Sequence, residues 1–85
     1  MNTDNIKINL LNLISKLFIE EGIDTDLIEH TDFFSDLGID SLLFISMVVE
    51  IETFFSLEIP DDLLLIDNFR TFDMIVKIVE NEMTQ

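Results

Sequence analysis

The sequence contains no cysteine. A chain without a thiol cannot form a disulfide framework, use a thiolate nucleophile or build a cysteine-based zinc site. Any thiol chemistry in which this protein takes part would therefore require a thiol that comes from outside the chain.

Turn-forming residues are also scarce, because the 85 residues include only two glycines and one proline. Hydrophobic residues make up 48 % of the chain, and eight of them are phenylalanine. This combination favours helices with short connections around one hydrophobic core. The length leaves no room for a second domain, so we predict a single domain over residues 1–85 and expect a monomer.

Basic residues number four against eighteen acidic ones, which gives a formal net charge of −14. Such a charge argues against nucleic acid and against an anionic membrane surface as partners. Residues 1–5 have no basic region before an apolar segment, and the apolar-rich run 42–49 is far shorter than a membrane span. We therefore expect a cytoplasmic protein that binds proteins with basic patches.

Apolar residues at helical spacing predict three longer helices. The first covers about Thr3–Glu20 and ends before Gly22, which suits a helix C-terminus. The second covers about Ser41–Phe55. The last follows Thr71 as N-cap, and its apolar stripe comprises Phe72, Ile75, Val76, Val79 and Met83.

A short helix and a long connection complete the predicted fold. Pro60 is tolerated in a first helical turn, and the acids after it favour a short helix over about residues 61–66. Residues 23–40 keep no helical period, which predicts a long loop with one short turn near residues 26–29 and with Phe33 and Leu37 holding it on the core. The predicted fold class is all-α: a four-helix bundle with three longer helices, one short helix and a long loop between helices 1 and 2.

The second helix is apolar on two faces. One face forms the predicted core stripe, and Leu42, Ile45 and Val49 lie on the other. A helix of this kind is either fully buried or docks a partner. Full burial is difficult in so small a chain, so the pattern favours docking. The core stripe comprises Phe44, Met47, Val48, Ile51 and Phe55.

Catalytic and metal-binding patterns are incomplete in this sequence. His30 is the only histidine, and the two glycines form no phosphate-binding loop. Residues 24–26 begin like a calcium loop, but Glu29 stands where that loop requires glycine. Close acidic pairs arise by chance among eighteen acids and usually form a solvated face. We therefore expect neither catalysis nor an intrinsic metal.

Ser41 allows two interpretations. Locally it suits a helix N-cap, with Asp40 adding favourable charge at the helix start, and local sequence alone favours this structural role. The alternative is a covalent attachment point. The residues around Ser41 decide between the two interpretations, because their types and spacing resemble the acyl carrier protein family. The resemblance lies in Phe33, the stretch 36–42 (DLGIDSL), Phe55 and the stretch 58–61 (EIPD).

The resemblance covers nearly the whole chain and implies that Ser41 carries 4′-phosphopantetheine. In that family a separate Mg²⁺-dependent phosphopantetheinyl transferase takes this group from coenzyme A. The group would supply the missing thiol, and acyl or aminoacyl cargo would be bound to that thiol as a thioester. The implied partners are the transferase, an acyl- or aminoacyl-loading ligase or transferase, and downstream synthase or tailoring enzymes. The protein would be their substrate and shuttle, not an enzyme.

The resemblance also assigns roles to the neighbours of Ser41. Gly38 would leave room for an approaching transferase. Asp40 would contact the transferase or its metal, with its charge at the helix start as the alternative role. Leu42, Ile45 and Val49 would form a docking patch. The acidic rim of that patch would comprise Asp36, Asp40, Glu50 and Glu52.

One departure from the family pattern bears on the pathway. Carriers of fatty-acid synthesis typically have acids early on the second helix, where this chain has Leu43 and Ser46. Residues 68–72 (NFRTF) resemble carrier domains of polyketide and nonribosomal peptide systems. We therefore expect an acyl carrier of such specialised biosynthesis. An aminoacyl or peptidyl carrier with the same Ser41 chemistry is the alternative within the family, and an unmodified helical adaptor is the alternative outside it.

Overall fold

The computed structural model of the protein describes residues 2–26 and 28–84. These residues form three α-helices and no strand: α1 is Thr3–Glu20, α2 is Ser41–Phe55 and α3 is Phe72–Met83. Three short 3₁₀ turns lie between them, at Ile28–His30, Asp61–Leu63 and Ile66–Asn68. The predicted all-α class is confirmed. The short turn predicted near residues 26–29 includes Leu27, which lies outside the described residues.

The helices begin where side chains satisfy their first backbone N–H groups. The Asn2 side chain accepts a hydrogen bond from the Asn5 amide at the start of α1. The predicted N-cap of the last helix is also found, because the Thr71 hydroxyl accepts from the Met74 amide at 3.3 Å. After α1, Gly22 adopts φ = +75°, a conformation that glycine takes without strain.

One apolar core joins the helices. It combines the buried stripe of α1, the whole predicted stripe of α2 and four residues of α3, and it includes no polar or charged residue among those described. Phe18 of α1 packs edge-on against Phe33 from the α1–α2 connection, with ring centroids 5.2 Å apart. The α1 stripe comprises Ile6, Leu10, Ile14 and Phe18.

The predicted short fourth helix is replaced by two 3₁₀ turns, so the described chain has three α-helices instead of four. Leu65, with φ = −116° and ψ = 139°, is extended and interrupts any helix over residues 61–66. The Asn68 side-chain amide donates to the Leu63 carbonyl at 3.1 Å, which satisfies a group that a longer helix would have paired. Residues 64–66, the last of which begins the second of these turns, therefore lie opposite α2 without forming a continuous helix.

The connection between α1 and α2 is held on the core at several points. Phe33 is fully buried, and its amide donates to the Arg70 carbonyl at 2.7 Å. Ile39 is also buried, and its amide donates to the Phe33 carbonyl at 3.1 Å. Leu37 is only half-buried, so Phe33 and Ile39 hold the connection more firmly than Leu37 does. These contacts place the residues that precede α2.

No helix among the residues that the structure describes combines the length and apolarity needed to cross a bilayer.

Candidate functional site

Asp40, and not Ser41, caps α2. Asp40 has the extended backbone of an N-cap, and its Oδ1 accepts from the Leu43 amide at 2.9 Å. Ser41 is the first residue of the helix itself, so the capping role that local sequence alone favours for its hydroxyl is not found. Both residue types cap helices well, and the backbone position decided between them. The Ser41 hydroxyl is exposed and makes no hydrogen bond with any described residue.

Gly38 lies three residues before Ser41 with φ = +69°. A Cβ placed on it would meet nothing within 4 Å, so the space beside it is open. The positive φ favours glycine at this turn, since other residues are strained in this conformation. Ile39, directly after it, is buried and anchors the turn to the core.

Asp32 and Asp36 organise the turn that leads to Gly38. Asp32 Oδ1 accepts from the amides of Phe34 and Ser35 at 2.9 and 2.8 Å. In return, Asp36 Oδ2 accepts from the Asp32 amide at 2.8 Å. Asp36, predicted as part of the acidic rim, is exposed and has this structural hydrogen bond as well. An aspartate two or three residues before the amides that it binds is a sequence signal for such a turn.

Arg70 ties this turn to the segment before α3. Its guanidinium lies 3.4 Å from the Asp32 carboxylate, 2.9 Å from that of Asp67, and 5.7 Å from the centre of the Phe34 ring. The amide of Ser35 contributes most to lowering the pKa of Asp32, and Arg70 adds to it. The hydrogen bond to Asp67 is the main reason why the pKa of Arg70 is raised. Nothing in the sequence alone pairs Asp32 with a residue 38 positions away.

The predicted docking residues are on the surface. Leu42, Ile45 and Val49 are 74, 56 and 53 % exposed. Among the predicted acidic rim residues, Asp36, Asp40 and Glu50 are exposed. Glu52 differs, because it is half-buried and its Oε2 accepts from the Ile59 amide at 2.8 Å.

Two grooves flank the start of α2. The larger, of about 670 Å³, begins at Ser41 and runs between α2 and residues 64–66. Its lining is apolar apart from Ser41 and Glu52, and comprises Ser41, Phe44, Ile45, Val48, Val49, Glu52, Leu64, Leu65 and Ile66. The smaller, of about 380 Å³, lies on the side of Gly38 and Asp40 and extends to Glu21 and Ser46. The larger groove could not be predicted from the sequence, because its outer wall belongs to the segment predicted as a helix.

Over the described residues, no group of three or more histidine, aspartate or glutamate side chains could hold a metal ion. His30 is exposed in the first 3₁₀ turn and makes no hydrogen bond with Ser41.

The sequence profile of the phosphopantetheine attachment site family matches residues 10–79, which is most of the chain. The chain belongs to the acyl carrier protein family. It is similar to the acyl carrier protein of Zymomonas mobilis subsp. mobilis, with 43 % identity over 51 residues, or 58 % of this chain. The match spans 65 % of that relative's own length.

Membership in the acyl carrier protein family implies a covalently attached 4′-phosphopantetheine. Such a group needs a hydroxyl that a second enzyme can reach. The Ser41 hydroxyl fits this requirement, because it is exposed and open space lies beside nearby Gly38. Asp40 caps the helix, so the Ser41 hydroxyl is not engaged as a cap.

Proposed function

We propose that Ser41 is the residue that carries 4′-phosphopantetheine, and that the protein holds acyl intermediates on it as thioesters. When attached, the group supplies a terminal thiol that the chain itself lacks. The observation that carries this proposal is the exposed Ser41 hydroxyl at the start of α2, which no described residue engages. Residues 1–85 would act as one carrier domain in the cytoplasm, as a monomer.

The residues before Ser41 would prepare it for modification. The cap formed by Asp40 holds the first turn of α2, so the Ser41 oxygen has a defined position. The Asp40 carboxylate also remains exposed, where it can contact the transferase or the transferase's metal. Gly38 leaves space for the incoming enzyme. The buried Ile39 keeps this segment from moving away from the helix.

An acyl cargo is favoured over an aminoacyl cargo by the larger groove. Its walls are apolar, and it begins at Ser41 itself. Burial of apolar surface would stabilise an acyl chain there and would do less for a charged amino group. An aminoacyl or peptidyl carrier remains the alternative, and it predicts no preference of this groove for apolar chains.

A role in polyketide or nonribosomal peptide biosynthesis rests on narrower support. Leu43 is only 8 % exposed and belongs to the core, so its apolar character has a structural cause. Ser46 is exposed on α2, and the lack of an acid there still departs from carriers of fatty-acid synthesis. The resemblance of residues 68–72 to carrier domains supports the same pathway class.

We propose that Leu42, Ile45 and Val49 form the surface on which partner enzymes dock. They are exposed on one face of α2, and Asp36, Asp40 and Glu50 lie exposed on the same segment of the chain. This chemistry suits a transferase, a loading ligase and synthase or tailoring enzymes that present apolar contacts ringed by basic residues.

Modification at Ser41 can be tested by intact mass spectrometry. We expect the wild-type chain, incubated with coenzyme A, Mg²⁺ and a broad-specificity transferase, to gain one phosphopantetheine group. Ser41→Ala should gain none, because the attachment oxygen is absent. Ser46→Ala is the matched control, since Ser46 is another exposed serine of α2, and it should be modified like the wild type.

A Ser41→Ala variant that still gains the group would contradict the proposal. If Ser41→Ala kept its biological function while Val49→Asp lost it, the protein would act instead as an unmodified adaptor.

A further inference from the structure

Glu52 is the single ionisable residue among those that line the larger groove. It lies on α2 eleven residues after Ser41. At the rise of an α-helix this separation is about 16 Å along the helix axis. The lining of the groove therefore includes Ser41, a set of apolar side chains and, further along α2, Glu52, which also lines a neighbouring pocket with Ile59.

The Glu52 carboxylate is held in place by a hydrogen bond. Its Oε2 accepts from the amide of Ile59, a residue that is 1 % exposed. If the carboxylate turned away, it would leave a buried backbone N–H without a partner, which is costly. The Glu52 carbonyl accepts from the Leu57 amide at 3.1 Å, so the backbone is tied at the same point.

The second carboxylate oxygen, Oε1, makes no hydrogen bond with a described residue. An apolar chain end in contact with this carboxylate would remove water from it without donating a hydrogen bond, which is unfavourable. A chain that ends in a hydroxyl could instead donate a hydrogen bond to Oε1.

We propose that Glu52 determines which acyl chains the groove accepts. Among chains with an apolar end, it limits the length that the groove accepts. Among chains just long enough to reach position 52, it favours those that end in a hydrogen-bond donor. This inference rests on the proposed function, because it requires cargo attached through Ser41. It adds the residue that sets specificity and the chemical class of the preferred chain end.

The test compares three proteins: wild type, Glu52→Gln and Glu29→Gln. Glutamine at position 52 keeps an oxygen for the Ile59 amide and removes the charge. Glu29→Gln removes the same charge from an exposed position outside both the larger groove and the proposed docking surface. Each protein is loaded at Ser41 with saturated acyl chains of increasing length, and the melting temperature and backbone amide chemical shifts are measured.

We expect each added methylene to raise the melting temperature by up to about 6 °C while the chain fills the groove. In wild type and Glu29→Gln the rise should stop once the chain reaches position 52. In Glu52→Gln the melting temperature should continue to rise for longer chains, and changes in chemical shift should extend to the Ile59 amide. In wild type, one saturated chain will be the shortest that gives no further rise in melting temperature. The same chain with a terminal hydroxyl should again raise the melting temperature.

Identical length profiles in the three proteins would overturn the inference. A loaded protein whose melting temperature ignores chain length would also overturn it, while leaving the carrier function intact. Failure of wild-type Ser41 to accept the group would instead overturn the proposed function itself.

Discussion

Asp40 and Ser41 are adjacent residues with different roles at the start of α2. The Asp40 carboxylate forms the cap, and the Ser41 hydroxyl stays exposed and unengaged among the described residues. If Ser41 were the cap, its oxygen would be occupied by a backbone N–H and less available for reaction. This division supports the proposal that the group is attached at Ser41.

The two proposed roles of Asp40 can be separated by substitution. Asp40→Ala removes the cap and should lower the free energy of unfolding by about 1 kcal/mol, whereas Asp40→Asn should retain most of it because asparagine caps equally well. We expect both variants to be modified more slowly than wild type, since neither presents a carboxylate to the transferase. Urea unfolding and the rate of mass gain measure the two effects. Modification of Asp40→Asn at the wild-type rate would limit Asp40 to the structural role.

Among the elements of the fold, the α1–α2 connection and the segment before α3 are joined by Arg70 and Asp32. Arg70 also approaches Phe34, whose ring lies 6.0 Å from that of Phe44. Phe44 in turn contacts Phe69 at 5.3 Å and lines the larger groove. The turn before Ser41 and the floor of the groove thus belong to one set of contacts.

The lowered pKa of Asp32 predicts a contribution to stability that depends on pH. The unfolded side chain takes up a proton near pH 3.8, above the pKa of the folded state, so the contribution is present above pH 3.8 and is lost as the pH falls through the folded pKa. We expect Asp32→Asn to be less stable than wild type at neutral pH, with the difference shrinking in acid. Thermal unfolding at a series of pH values measures it.

Asp62→Asn is the matched control, because the exposed Asp62 side chain accepts no hydrogen bond from a described residue. If the difference in melting temperature between wild type and Asp32→Asn stayed constant down to acid pH, it would not come from the lowered pKa of Asp32.

At the scale of the whole molecule, charge opposes folding. A formal charge of −14 on a chain whose Cα radius of gyration is 11.9 Å brings many carboxylates within a Debye length of each other. Their repulsion is reduced in the unfolded state, where the charges are further apart. The same charge would attract partners that present basic surfaces.

Added salt should therefore have two opposite effects. We expect the melting temperature to rise by several degrees between low and moderate ionic strength, because salt screens the repulsion within the fold. Binding of the unmodified protein to the transferase should weaken over the same range. Calorimetry and binding titrations measure these effects, with an uncharged solute at equal osmolarity as control. A melting temperature that does not change with salt would refute the first effect.

Local sequence was sufficient to predict the all-α class, the bounds of α1 and α2 and the buried stripe of α2, and it shows the absence of a thiol, since helical period and composition are local properties. It also identified the stretch around Ser41. Only the folded structure shows that Asp40 caps α2, that residues 61–68 form two turns in place of a helix, and that Asp32 contacts Arg70. It also shows Ser41 and Glu52 in the lining of one groove. These features depend on backbone angles and on contacts between distant residues, which a local pattern of residue types does not specify.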